Sequence, residues 1–167
     1  MARNLGTAAL IFAALVVQMT VINRMGFSVT PDLVLLVVIA LATLRGETAG
    51  AVIGFLAGLA ADLTPPTDHV LGQYALVMCL TGYLAGRWAA RVPMLAVAAC
   101  AVGAPALAVG VGSLLGDPGV DWSTFVAIWP GTALCNLLAA PIVVWAVRAL
   151  FRPARSRDVL IMGRRRP

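Results

Sequence analysis

Apolar residues occupy this chain in runs that reach almost from end to end, broken by short segments rich in proline, glycine and charge. The first run, Leu5 to Ile22, is long enough for a spanning helix and longer than the apolar core of a cleavable signal peptide. The second, Asp32 to Leu44, would reach only about 20 Å at 1.5 Å per residue, short of a hydrocarbon core of about 30 Å. Gly46 to Leu63, Val70 to Ala90, Pro93 to Leu115 and Trp122 to Leu150 follow, separated by TPPTDH, an RVP turn and GDPGVD, all of which carry breaker chemistry. The pattern predicts an all-α integral membrane protein of about six transmembrane helices, with one domain over 1–150 and a basic tail over 151–167. The last run contains Pro130-Gly131 and Pro141. It predicts an interfacial lead-in through Trp122 to Trp129 and then a kinked span, with Trp129 and Trp145 as anchors near opposite interfaces.

Composition excludes more than it suggests. Of 167 residues, 61% are hydrophobic and 11% charged, where a soluble domain carries about a quarter charged. No room is left for a soluble catalytic domain on either side of a bilayer. All twelve basic residues are arginine and seven of them fall after position 147, so the net charge of +5 points to a tail on anionic lipid and leaves no nucleic-acid footprint. With six spans and cytoplasmic termini, only Arg24 lies outside. A five-span arrangement with a re-entrant second segment and an outside N-terminus strands Arg3 in its place and scores equally. Six is favoured because a stretch made almost wholly of Val, Leu and Ile has little reason to stop halfway, and local bilayer thinning can accommodate its shortness. Cys79, Cys100 and Cys135 lie inside apolar runs and imply no disulfide.

The most informative segment places Gly46, Gly50, Gly54 and Gly58 four residues apart, with Asp62 at the same spacing. On a helix these positions form one ridge, and without a Cβ the backbone can approach a neighbour closely. The ridge is a packing face for the protein's own bundle or for a partner, and Gly82 and Gly86 are its natural intramolecular mates. Asp62 reads as a cap or loop charge that can be solvated at the outer interface, or as a functional group aimed at whatever packs on the ridge. Thr30-Pro31-Asp32 has the form of helix initiation: an N-cap, a proline at the first helical position and an acid at the positive dipole end. Asp121 before Trp122 reads similarly. His69 is the single histidine and lacks clustered companions, so no metal site is expected. Ser113 has no supporting motif for an intramembrane protease, and no catalytic residue or cofactor is assigned. No charged residue lies mid-span, which argues against a coupled pump. Asn136 is the most polar mid-span side chain, suited to bridging helices or to meeting a carbonyl freed at Pro141.

Three stretches together resemble the rod shape-determining protein MreD family. They are Pro31-Asp32 opening a short Leu/Val-rich span; GFLAGLAADL over 54–63, followed by Leu71-Gly72 and Tyr83-Leu84-Ala85-Gly86; and Asn136-LLAA-Pro141 before a basic tail. The resemblance implies a non-enzymatic scaffold of cell elongation in the bacterial plasma membrane. It implies MreC as partner and, indirectly, RodA, a class B penicillin-binding protein and MreB. The family is also similar in shape to the S components of energy-coupling-factor vitamin transporters, which supplies the alternative function. That alternative needs convergent polar groups near the outer face, and the spans offer chiefly Gln18, Gln73, Tyr74, Ser113, Thr132 and Asn136.

Overall fold

The computed structural model describes residues 2–22, 24, 30–64, 71–117 and 121–151. His69 and the tail beyond Phe151 lie outside these. Helix α1, Ala2–Val17, runs on through a π-helical turn at Gln18–Ile22; then come α2, Leu33–Arg45, α3, Glu47–Asp62, α4, Gln73–Ala89, α5, Pro93–Leu115, and α6, Trp122–Leu150. The protein is all-helical, with no strand among the described residues.

Local chemistry accounts for the boundaries. Asp32 caps α2 by accepting from the Leu35 amide at 3.0 Å. Gly46, at φ +87°, is the single residue between α2 and α3, and that positive φ is accessible to glycine at little steric cost. Pro93 opens α5, and Gly116 closes it: the Asp117 amide donates to the Gly112 carbonyl at 3.0 Å, and the Gly116 amide to Ser113 at 3.3 Å. That pairing is a Schellman motif. Helix α6 is one uninterrupted helix despite Pro130 and Pro141. The residues expected as an interfacial lead-in, Trp122 to Trp129, form the first two turns of the same helix.

The organising element is α2. Nine consecutive residues, Val34 to Ala42, are buried, and α2 packs against α1, α3, α4, α5 and α6. A helix apolar on every side needs burial on every side, and here protein supplies it. The short α2 is thus enclosed by a sheath of neighbouring helices.

The outer surface of the bundle is the reverse of a soluble protein's. Ile142 and Trp145 on α6 are 69% and 73% exposed, and Phe12, Val52, Leu56, Met94 and Leu138 also face outward. An apolar exterior of this extent calls for a nonaqueous environment. Among the described residues, three helices are long and apolar enough to cross a membrane, over Asn4–Ile22, Pro93–Leu115 and Trp122–Leu150.

Candidate functional site: a glycine seam, a polar node and an acidic cavity

The most extensive helix pair is α3 with α4, and its seam is backbone on backbone. A Cβ added to Gly58 would lie 2.6 Å from both the Ala75 Cα and the Tyr74 carbonyl oxygen. One on Gly86 would lie 2.5 Å from the Gly46 carbonyl carbon. Gly50 and Gly82 face each other's carbonyl oxygens, and Gly54 faces that of Met78. The side chain is therefore excluded at each crossing, and van der Waals contact between the backbones takes its place.

Asp62 closes the seam at one end. It is 2% exposed, and its Oδ2 accepts from the amides of Gly72 at 3.0 Å and Ala75 at 3.1 Å. These amides open α4, so a carboxylate from α3 caps the next helix and fastens the two ends together. This corrects the reading of Asp62 as a solvated interface charge.

A second polar cluster surrounds the start of α2. The Asp32 amide donates to Asn136 Oδ1 at 2.8 Å, the Leu33 amide donates to Gln18 Oε1 at 2.9 Å, and the Tyr74 hydroxyl donates to the Asp32 carboxyl. Gln18 Nε2 also reaches the Pro31 carbonyl at 3.4 Å. Asn136 is fully buried, and its Nδ2 donates to the Ala101 carbonyl at 3.2 Å. One amide thus holds α6 to α5 and to the entry of α2. Pro31 lies outside the helix, two residues before its first position, and Asp32 is the N-cap itself, which corrects the placement of the proline at the first helical position: the Asp32 carboxyl meets the Leu35 amide and so starts the helix after it.

The opposite end of α2 is basic. Arg45 donates to Asn4 Oδ1 at 3.1 Å and to the Thr7 hydroxyl, and its guanidinium lies 5.7 Å from the Phe151 ring centroid. Arg87 pairs with Glu47 at 3.3 Å, both largely exposed, so solvent screening leaves that pair little weight in stability.

At the aspartate end a cavity of about 570 Å³ lies between α4, α5 and α6, reaching in to Asp32 and Asn136. Asp117 and Asp121 stand on its rim side, and Gln73, Tyr74 and Thr132 also line it. Ser113, grouped with these in the sequence, is exposed and bonded to the Val109 carbonyl. Asp121 caps α6. The hydroxyls of Thr124 and Ser123, together with the amides of both residues, hold its carboxyl down at about 2. Among the described residues no cluster of His, Cys, Asp and Glu could hold a metal ion.

Sequence reasoning singled out Asp32, Asp62 and Asn136 separately. The links from Gln18 and Tyr74 to Asp32 and its neighbour were missed, although a glutamine inside an otherwise apolar first run was a usable signal.

Compared with known proteins, the chain matches the family model described as rod shape-determining protein MreD over residues 3–153. No curated protein and no solved structure matches it.

Proposed function

The chain belongs to the MreD family of cell-shape-determining membrane proteins, and on that premise we propose that it is a non-enzymatic scaffold of cell elongation, acting with MreC to regulate peptidoglycan synthesis. Through MreC it would serve RodA, a class B penicillin-binding protein and MreB. The reading takes six spans, cytoplasmic termini and a basic tail on anionic lipid from the apolar runs and the arginine distribution, and the plasma membrane and the likeness to the S-component fold from the family resemblance. The charge distribution supports that orientation: Arg45 and Arg87 stand at one end of the helices and Asp32, Asp62 and Asp121 at the other.

One observation carries the scaffold role. Asn136 and Asp62, buried polar side chains at the helix junctions, hydrogen-bond to amides and carbonyls of neighbouring helices. Neither is poised on a reacting group, and groups used in this way hold a bundle in one shape. We assign no catalytic residue. The glycine seam and Asp62 are proposed to keep rigid the surface that MreC reads.

The test is complementation and MreC co-purification in a strain that depends on this protein. Asp62→Asn keeps one acceptor for the α4 amides and should retain more MreC and rod shape than Asp62→Leu, which keeps none. Equal loss in both would point to an ionised carboxylate with a chemical task and would overturn the scaffold role. The vitamin-capturing alternative forecasts a different deletion phenotype, namely lost growth on limiting vitamin with cell shape intact.

A further inference from the structure

On the outer surface of the bundle a groove of about 490 Å³ runs between the start of α5 and the latter half of α6. Its walls are apolar, with Val97 and Ala98 on the α5 side and Leu137, Pro141 and Val144 on the α6 side. Trp145 and Arg148, in the last two turns of α6, line it as well. From Leu137 to Arg148 it follows α6 for about 16 Å at 1.5 Å per residue, the depth of one leaflet of a hydrocarbon core about 30 Å thick. Trp145 and Arg148 are exposed, and neither side chain makes a hydrogen bond or ion pair with another described residue. Arg91, also exposed, stands two residues before Pro93, which lines the same groove. No acidic side chain among the described residues lines it.

In a bilayer an apolar groove of this length takes up an acyl chain, and the charge at its end selects the head group. A guanidinium at the hydrocarbon boundary is costly unless it meets water or an anion, and its planar fork matches phosphate oxygens. A zwitterionic head carries its own ammonium, which competes with Arg148 for the phosphate; an anionic head carries none. The indole N–H of Trp145 is left to donate to a lipid ester carbonyl, whereas that of Trp129 donates to the Val102 carbonyl at 3.1 Å. We propose that the α5–α6 groove binds one anionic glycerophospholipid, with its phosphate on Arg148, its glycerol ester beside Trp145 and one acyl chain along Val97, Leu137 and Pro141. This lipid is separate from any drawn to the basic tail, and the proposal requires a membrane setting but not MreC.

The experiment places the full chain, carrying Trp88→Phe, Trp122→Phe and Trp129→Phe, in phosphatidylcholine nanodiscs and reads the quenching of Trp145 by lipids brominated on their acyl chains. Brominated phosphatidylglycerol should half-quench at a mole fraction about tenfold lower than brominated phosphatidylcholine, one charge-assisted hydrogen bond's worth. Arg148→Gln should abolish that difference and Arg148→Lys should keep part of it. Ala98→Phe, which narrows the groove at unchanged charge, should weaken quenching by phosphatidylglycerol. The tail variant Arg164→Gln, Arg165→Gln, Arg166→Gln should leave the difference in place. Should the tryptophan substitutions impair folding, native mass spectrometry of the chain with all four tryptophans reads the same preference, as phosphatidylglycerol retained by the unaltered protein and lost in Arg148→Gln. Equal quenching by the two lipids, a preference that survives Arg148→Gln, or one that disappears in the tail variant overturns the proposal. Trp145 quenched by neither lipid would mean that protein, a second copy or a partner's spanning segment, covers the groove, and overturns it too. None of these results bears on MreC recovery, so the two readings fail separately.

Discussion

One substitution, glycine to alanine, should change sign between two helices of this protein. At Gly54 an added Cβ would lie 2.7 Å from the Met78 carbonyl carbon and 3.2 Å from the Cys79 nitrogen, while at Gly103 in α5 nothing lies within 4 Å. Ordinary carbon contacts sit at about 3.5–4.0 Å, so the α3–α4 seam must open by roughly an ångström, because both sides are backbone and neither can rotate away. A gap of that size forfeits a quarter to a half of each contact. With about 0.1–0.2 kcal/mol per atom pair and some tens of pairs along the seam, the loss is about 1–3 kcal/mol. Replacing glycine inside a helix returns up to about 1 kcal/mol at either site. The expected net is a destabilisation of about 1–2 kcal/mol for Gly54→Ala and a neutral to slightly stabilising effect for Gly103→Ala. Equilibrium unfolding in mixed micelles, followed by tryptophan fluorescence, measures both. If the two variants unfold together, or if Gly54→Ala is the more stable, the seam is not in backbone contact and the packing argument fails.

Other outcomes follow from the same geometry. Asn136→Leu leaves the Asp32 amide and the Ala101 carbonyl without the partner they share, and should cost about 2–5 kcal/mol in the same unfolding assay; Asn136→Asp, which keeps the acceptor for Asp32, should cost less. The Asp121 carboxyl is held at about 2 by the hydroxyls and amides of Thr124 and Ser123, below the usual carboxylate value of about 3.9. A depressed folded-state pKa contributes stability that is complete above the unfolded value and disappears as pH falls through the folded one. The stability difference between the unaltered protein and Asp121→Ala should therefore be flat from pH 5 to 8 and shrink between roughly 4 and 2; a difference that grows on acidification would refute the cap. For topology, single cysteines in a Cys-free background should label from outside at positions 24 and 68, and at 90 and 155 only after permeabilisation. Labelling of position 3 from outside and of 24 only from inside would establish five spans.

How legible the fold was depended on whether the cause was local. Helices α5 and α6 occupy the spans expected, Pro93 to Leu115 and Trp122 to Leu150, because a helix-opening proline, a glycine C-cap and an acidic N-cap mark their ends in the chain itself. The glycine ridge was legible as a face for the same reason, since spacing by four is a property of one helix. The sheath around α2 was not. A thirteen-residue apolar helix reads alike whether lipid or protein surrounds it, and only the packing of the five other helices decides. The environment of Asp62 was misjudged for a related reason: its partners, the amides of Gly72 and Ala75, lie across a loop, and backbone amides carry no sequence signature.

The polar node follows from that same burial. A helix sheathed in protein cannot turn its first amides to water, and each one left unpaired costs free energy. At the start of α2 the amide of Leu33 is met by Gln18, that of Leu35 by the Asp32 side chain and that of Leu36 by the Asp32 carbonyl, while Asn136 meets the amide of Asp32 itself. Gln18, Asp32 and Asn136 are thus three answers to one requirement, drawn from the π-helical turn after α1, the loop and α6. Their roles were hard to see one at a time because the requirement belongs to the fully enclosed helix.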